Sequence, residues 1–234
     1  MGIIDRGNGE LRASKFTVVM ALVLSGIFAS FCIWQAPGWL RGPLTPAEVE
    51  RHLGQIEQHL AMPADMKNEV VARLRTWALA DDGRPVYMLN LMRYYPQLRQ
   101  FEGAPAFAGT PLQANEYYEQ QVMPLVLSGG IYPLFAGTAQ GANLIEHAAE
   151  LDNWSRVLIV RYPSRRAVLE LFSSPAYAPF EPYKIMALRV VLTPLDGEIV
   201  AADLRWVLGA ALLIVFLAVG WLRAARRAAL ARQP

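Results

Sequence analysis

Two long apolar runs stand on either side of a more polar middle region. Residues 16–34 and 206–222 contain no charged side chain. A bilayer core about 30 Å thick is crossed by a helix of roughly 20 residues, and ~17 is the short end of that range. Trp34, Trp206 and Trp221 stand at the ends of the runs, where indole rings favour the membrane interface. The pattern predicts two transmembrane helices, with the lipid bilayer as a partner.

Each apolar run has an alternative interpretation. The second run could be a buried helix of a globular core. The first could be a cleaved signal peptide, but it is longer than the usual apolar segment of such peptides, and Gln35-Ala36-Pro37 is a poor cleavage site. We therefore expect an uncleaved anchor.

The polar middle begins with a helical pattern over residues 45–80. Thr45-Pro46-Ala47-Glu48 is a capping box with proline at the first helical position. Val49, Leu53 and Ile56 then repeat at helical spacing. A second helix is expected to start at Pro63, so this segment predicts two consecutive helices.

Short apolar runs separated by Gly and Pro follow over residues 84–195. Arg156–Arg161 is rich in β-branched residues, and Tyr162-Pro163 ends it, since proline cannot donate to a strand ladder. Ser164 is placed to cap the helix that follows. The pattern predicts, in order, strand 85–93, helix 113–128, strand 131–138, strand 156–161, a helix after Ser164, an extended link over 178–183 and strand 185–193. This βαββαβ order predicts an α+β, ferredoxin-like domain with strand order 4-1-3-2.

The charges predict the orientation in the membrane. Basic residues flank both apolar runs on the outer sides, in the tails 1–15 and 223–234. Short basic tails stay in the cytoplasm, whereas a long loop crosses largely regardless of charge. We therefore expect a two-pass protein of the inner membrane with a periplasmic main domain. Residues 45–198 carry 13 Lys+Arg against 17 Asp+Glu, a net charge of −4, which argues against a nucleic-acid partner.

Several short motifs in this order resemble a known family. They are Tyr87-Met88-Leu89-Asn90-Leu91, Tyr117-Tyr118, Gly129-Gly130, Trp154 with Val157–Val160, Tyr162-Pro163-Ser164 and Ser174-Pro175-Ala176-Tyr177. Over residues 84–195 the chain resembles the domain-of-unknown-function family numbered 1330, of the dimeric α/β-barrel superfamily. The resemblance implies two ferredoxin-like sheets packed across a homodimer, with ligand cavities between sheet and helices. It implies no particular reaction, although relatives include monooxygenases, isomerase-like proteins and haem-using peroxidases. The transmembrane runs and the helical segment 45–80 depart from it.

The strand pattern also favours a homodimer. Alternate residues of the first strand are apolar on both faces, so neither face is suited to water. Pairing of two sheets would cover the face without helices, and Ala21, Ser25 and Ala29 would let membrane helices pair closely. The alternative is that helices 46–60 and 63–79 cover that face within one chain.

Few residues carry recognisable chemistry. Cys32 lies in the first apolar run, and we expect His52, His59 and His147 to be solvated or membrane-facing. We predict no catalytic residue, metal or cofactor. The best candidate for a small-ligand site consists of one amide and four aromatic side chains, which give apolar walls with polar handles: Asn90, Tyr118, Trp154, Tyr162 and Tyr177.

These observations leave two main functional hypotheses, with haem or oxidant chemistry as a third. The first is a membrane-anchored, extracytoplasmic accessory or ligand-binding domain, as a possible subunit of a membrane assembly with another membrane protein. The second is a metal-free enzyme acting on a small apolar or aromatic compound.

Overall fold

The structure is a computed structural model that describes residues 3–62, 64–142, 144–145, 153–201 and 203–232. The chain divides into a terminal unit, Met1–Gln35 with Val200–Pro234, and a middle unit, Ala36–Ile199. The helices are α1 (Ile3–Gln35), α2 (Gly38–Arg41), α3 (Pro46–His59), α4 (Ala64–Leu79), α5 (Pro111–Ser128), α6 (Arg165–Phe172), α7 (Glu181–Ala187) and α8 (Leu204–Leu230). The strands are β1 (Val86–Tyr94), β2 (Tyr132–Thr138), β3 (Arg156–Tyr162) and β4 (Leu188–Leu195).

The terminal unit contains two helices that are long and apolar enough to span a membrane. An 18-residue stretch of Lys15–Gln35 in α1 has a mean hydropathy of 2.4, and one within α8 has a mean hydropathy of 2.2. Ala21 and Ser25 of α1 line a crevice of about 300 Å³ together with Gly209 of α8. A Cβ at Gly209 would lie 3.1 Å from the ring of Phe28, so glycine permits this close approach. Two of the small residues expected to pair helices between chains therefore face α8 of the same chain.

The middle unit is built on a four-stranded antiparallel sheet in the order β2-β3-β1-β4. The apolar strands β1 and β3 are central, as predicted. In the register, Asn90 of β1 lies opposite Leu158 of β3 and Leu192 of β4. Burial alternates along β1, with Val86, Met88 and Asn90 on the buried side. One face of the sheet is therefore packed, and the candidate asparagine belongs to it.

Helices α5 and α6 cover that packed face. Val86 and Met88 of β1 share one core cluster with Val122 of α5 and with Val168 and Leu171 of α6. Contiguous burial of this kind is what holds the amphipathic helices on the sheet.

Helices α3 and α4 pack on α6 and form an additional helical layer. Leu53 and Ile56 of α3 and Val71 of α4 share a core cluster with Leu169 of α6. Phe135, on the other side of the sheet from this layer, is 54% exposed. The alternative in which these helices cover the second face of the sheet is therefore not the arrangement found.

Capping residues set the helix starts. The capping box at Thr45 and Glu48 is confirmed, and Ser164 caps α6 by accepting from the amide of Ala167. A capping box that the sequence analysis missed, Thr110 with Gln113, starts α5 two residues earlier than predicted. The helix then continues through Pro124 to Ser128.

The predicted extended link and final strand are wrong in their boundaries. Residues 181–187 form α7, and β4 begins only at Leu188. Pro182 occupies the first turn of α7, where proline costs no hydrogen bond, so a proline in this segment is compatible with the start of a helix. This helix carries two of the residues that define the site below.

Candidate functional site

Asn90 lies at the centre of the packed face and is 3% exposed. Its Nδ2 donates to the carbonyl oxygens of Met88 and Leu158, at 3.2 and 3.4 Å. Its Oδ1 accepts from Nζ of Lys184 at 3.0 Å. A buried amide must find partners to offset its desolvation, and here protein groups on β1, β3 and α7 supply them.

Lys184 connects Asn90 to the tyrosines. Its Nζ lies 5.4 Å from the centroid of the Tyr118 ring, within the range of a cation–π contact. The hydroxyl of Tyr118 is hydrogen-bonded to that of Tyr177, with the two oxygens 3.2 Å apart. Asn90, Lys184, Tyr118 and Tyr177 thus form one continuous set, which we call the polar chain.

Tyr162 lies in the same core as the polar chain. Tyr162 is 8% exposed and belongs to the same core cluster as Tyr177. Tyr118 packs against this cluster. Four of the five predicted residues are therefore placed around the packed face of the sheet.

Trp154 is placed differently. It precedes β3, and the guanidinium of Arg93 lies 5.1 Å from the centroid of its ring. Burial alternates along β1, and Arg93 and Asn90 lie on opposite faces of the strand. We therefore assign Trp154 to the contact with Arg93 and not to the polar chain.

An aromatic cluster fixes the position of α7, and hence of Lys184. The rings of Tyr117 on α5 and Tyr183 on α7 are 4.8 Å apart at their centroids. Phe107 contacts both rings, and Phe180 packs edge-on against Tyr117. Rigid aromatic contacts of this kind hold Lys184, the next residue after Tyr183, towards the sheet.

Burial changes the acid–base properties of the site. Desolvation lowers the pKa of Lys184 to about 8, and it raises the pKa of Glu181, one turn earlier on α7, to about 7. Desolvation also raises the pKa of the Tyr118, Tyr162 and Tyr177 hydroxyls. The phenols therefore stay neutral and act as hydrogen-bonding groups, whereas the amine and the carboxyl can change charge near neutral pH.

A second polar group lies next to the polar chain on α5 and β3. Glu119 forms an ion pair with Arg156 and accepts from Nδ2 of Asn115 at 3.0 Å. The charge of Glu119 favours protonated Lys184, while that of Arg156 opposes it. The amine is therefore surrounded by charges of both signs at the edge of an apolar core.

The sequence pattern does not assign Lys184 or Glu181 to the candidate site. A signal was available, because Lys184 is one of only three lysines in the chain and follows Glu181 at helical spacing. The predicted extended link over 178–183 hides this helical spacing, because it places Glu181 outside any helix.

The histidines differ in their placement. His52 is 8% exposed and its Nδ1 lies 2.8 Å from Oγ of Ser173, so the expectation that it is solvated is wrong: α6 packs over this part of α3. His59, in the last turn of α3, is exposed, and His147 lies outside the described residues. Among the side chains that the structure describes, no group of three or more His, Cys, Asp or Glu residues could hold a metal ion.

Comparisons with known proteins give similarities to solved structures. No protein-family model matches the chain, and no curated protein sequence matches it. The crystal structure of RPA0582, a protein of unknown function from Rhodopseudomonas palustris, is 25% identical, with a TM-score of 0.45, over 54% of this chain and 90% of that one. The structure of methylated RPA0582 is also 25% identical, with a TM-score of 0.44, over 56% and 93%.

Proposed function

We propose that the chain is a two-pass membrane protein whose middle unit binds a small apolar or aromatic ligand at the polar chain. The observation that carries this proposal is the placement of Lys184 against Asn90 and Tyr118 beside an apolar core. Lowering the pKa of a lysine from 10.5 to about 8 corresponds to about 3 kcal/mol of disfavoured charge. Charged groups held at such a cost are concentrated at functional sites.

The surroundings of Lys184 favour a ligand with an apolar body and a polar group. The aromatic rings of α5 and α7 offer apolar walls, while Lys184, Glu181 and the Tyr118 hydroxyl offer donors and acceptors. Ligand sites in proteins typically combine these two features.

We further propose a ferredoxin-like assignment for the middle unit and a sheet-to-sheet homodimer of the dimeric α/β-barrel type. The strand order and the resemblance to the family numbered 1330 support the fold. Apolar side chains that remain exposed on the sheet, such as Phe135 and Val191, support the pairing.

The proposed location is the inner membrane, with both termini cytoplasmic and the middle unit periplasmic. The apolar stretches of α1 and α8 and the basic residues outside them support this orientation. The role is that of an accessory or ligand-sensing subunit, for which another membrane protein is the expected partner. The second candidate, a metal-free enzyme, is favoured by the low pKa of Lys184.

Ligand-dependent thermal shifts test the binding function. Full-length protein in detergent would be heated with quinones, fatty acids and small aromatic alcohols, and we expect at least one class to raise the melting temperature. Tyr118→Phe, which removes only the hydroxyl, should lower the affinity for that ligand by roughly tenfold, which corresponds to the loss of one hydrogen bond. Tyr87→Phe is the matched control and should bind normally, because Tyr87 and Asn90 lie on opposite faces of β1, and Tyr87 belongs neither to the polar chain nor to the aromatic cluster.

Two results would contradict the binding function. One is the absence of a shift with every class of compound. The other is equal binding by the Tyr118→Phe variant and the unchanged protein.

A further inference from the structure

The position of Lys184 indicates more than reversible binding. Lys184 is a half-buried residue, and its amine is desolvated enough for its pKa to fall to about 8. A lysine is activated as a nucleophile by partial desolvation or by a nearby cation. The first condition is present here, since desolvation is the largest influence on the pKa of Lys184; the charges of Glu119 and Glu181 raise that pKa, and the charge of Arg156 lowers it.

We propose that Nζ of Lys184 forms an imine with an aldehyde or ketone carried by a small aromatic or apolar molecule. This inference rests on the proposed ligand site and names the chemical class of its ligand. The contacts that carry it are the hydrogen bond from Nζ to Oδ1 of Asn90 and the position of Nζ over the face of Tyr118.

The hydrogen bond orients the amine. Oδ1 of Asn90 accepts from Nζ, and the amide is fixed in turn by the carbonyl oxygens of Met88 and Leu158. A neutral amine that donates one N–H to this oxygen keeps its lone pair for a carbonyl carbon. The face of Tyr118 lies where it attracts the positive charge of a protonated imine.

Glu181 is placed to handle the proton. It lies three residues before Lys184 on α7, so the two side chains lie on the same face of the helix. Since its pKa is about 7, a large share of this carboxyl is protonated near neutral pH. It can therefore donate a proton to a leaving hydroxyl, as a general acid does.

The reaction balances without any oxidant or reductant. The lone pair of Nζ forms a C–N bond while the carbonyl π electrons move to oxygen, and a proton passes from nitrogen to that oxygen. The hydroxyl of this carbinolamine then leaves as water with a proton from Glu181, while the nitrogen lone pair forms the C=N bond of a protonated imine. The N–H proton of that imine returns to the Glu181 carboxylate. The overall change is one amine plus one carbonyl compound to one imine plus one water.

Reductive trapping with benzaldehyde tests the proposal. Full-length protein in detergent would be incubated with benzaldehyde and sodium cyanoborohydride, which reduces the protonated imine to a stable benzylamine. Peptide mapping by mass spectrometry then identifies the modified residue among Lys15, Lys67 and Lys184. At pH 7, an amine with a pKa of about 8 has roughly three-hundredfold more of its neutral form than an amine with the usual lysine pKa of 10.5, so we expect Lys184 to be modified at least about tenfold faster than Lys67.

Two variants provide the controls. Lys184→Arg keeps the positive charge but has no amine that forms an imine, so it should lose the fast modification. Lys67→Arg should keep it. The mapping of the unchanged protein decides the question even if Lys184→Arg fails to fold.

The outcomes separate this inference from the proposed function. Modification of Lys67 and Lys184 at equal rates, or of Lys67 alone, would overturn imine formation. If benzyl alcohol, which has no carbonyl group, still stabilised the protein in that case, the ligand site would stand without the imine. If benzyl alcohol and all the other compound classes failed to stabilise it, both proposals would fall together.

Discussion

The Nδ1 of His52 lies 2.8 Å from the Oγ of Ser173, and this contact joins α3 to the residue that follows α6. Both side chains are buried, so each satisfies a polar atom of the other away from water. Desolvation lowers the pKa of His52, which favours the neutral ring in the folded protein. The contact thus ties the additional helical layer to the layer that covers the sheet.

Removing the Ser173 hydroxyl should destabilise the middle unit. Ser173→Ala leaves Nδ1 of His52 without its buried partner, and we expect a loss of about 2 kcal/mol in the free energy of unfolding. His59→Gln changes an exposed histidine of the same helix and should alter stability by less than about 0.5 kcal/mol. Urea unfolding measures both variants, and equal midpoints would contradict the structural role of this contact.

Leu169 is a further point at which α6 holds α3 and α4. It is fully buried in the cluster that contains Leu53 and Ile56. Leu169→Ala should cost about 2–5 kcal/mol because it leaves a cavity. It should also expose α3 and α4 to limited proteolysis before the sheet is cut. Leu127→Ala, at a position 48% exposed on α5, is the control and should resist proteolysis normally.

Glu181 should give the protein a pH-dependent stability below neutrality. Its pKa is raised from 4.5 to about 7, so the folded protein binds a proton that the unfolded chain has lost. The contribution of Glu181 to the free energy of unfolding is fully present below pH 4.5 and is lost as pH rises to about 7. The total loss over this range is about 3 kcal/mol. Glu181→Gln should flatten this part of the curve of unfolding free energy against pH. Glu116→Gln, an exposed change on α5, should leave the slope intact.

The proposed dimer predicts that a mutation in the sheet changes the oligomeric state of the protein. Leu89 and Ile159 are register partners on the central strands. Leu89→Glu would place a charge within the proposed interface, so light scattering in detergent should report a monomer instead of a dimer. Leu127→Glu, on an exposed part of α5, should remain dimeric. A monomeric unchanged protein over micromolar concentrations would contradict the interface.

The proposed orientation predicts the behaviour of fused reporters. A fluorescent protein that folds only in the cytoplasm should be bright when it is fused after Pro234. A phosphatase that is active only in the periplasm should be inactive at the same position. The opposite result would place the carboxyl terminus outside and reverse the predicted topology.

The sequence by itself determined the elements whose signals are local. The apolar stretches of α1 and α8 follow from uncharged runs of sufficient length. The starts of α3 and α6 follow from Thr45 and Ser164, because a capping hydroxyl acts on amides only a few residues away. The central place of β1 and β3 follows from their apolar composition.

Only the tertiary structure decided which polar groups are buried and what they touch. Lys184 meets Asn90 from 94 residues away, and His52 meets Ser173 across 121 residues. The desolvation that shifts the pKa of Lys184 and Glu181 arises from elements packed around α7, and no local pattern encodes it. The packing of α3 and α4 on α6 is likewise a matter of complementary surfaces, since an amphipathic stripe predicts burial without naming the surface that covers it.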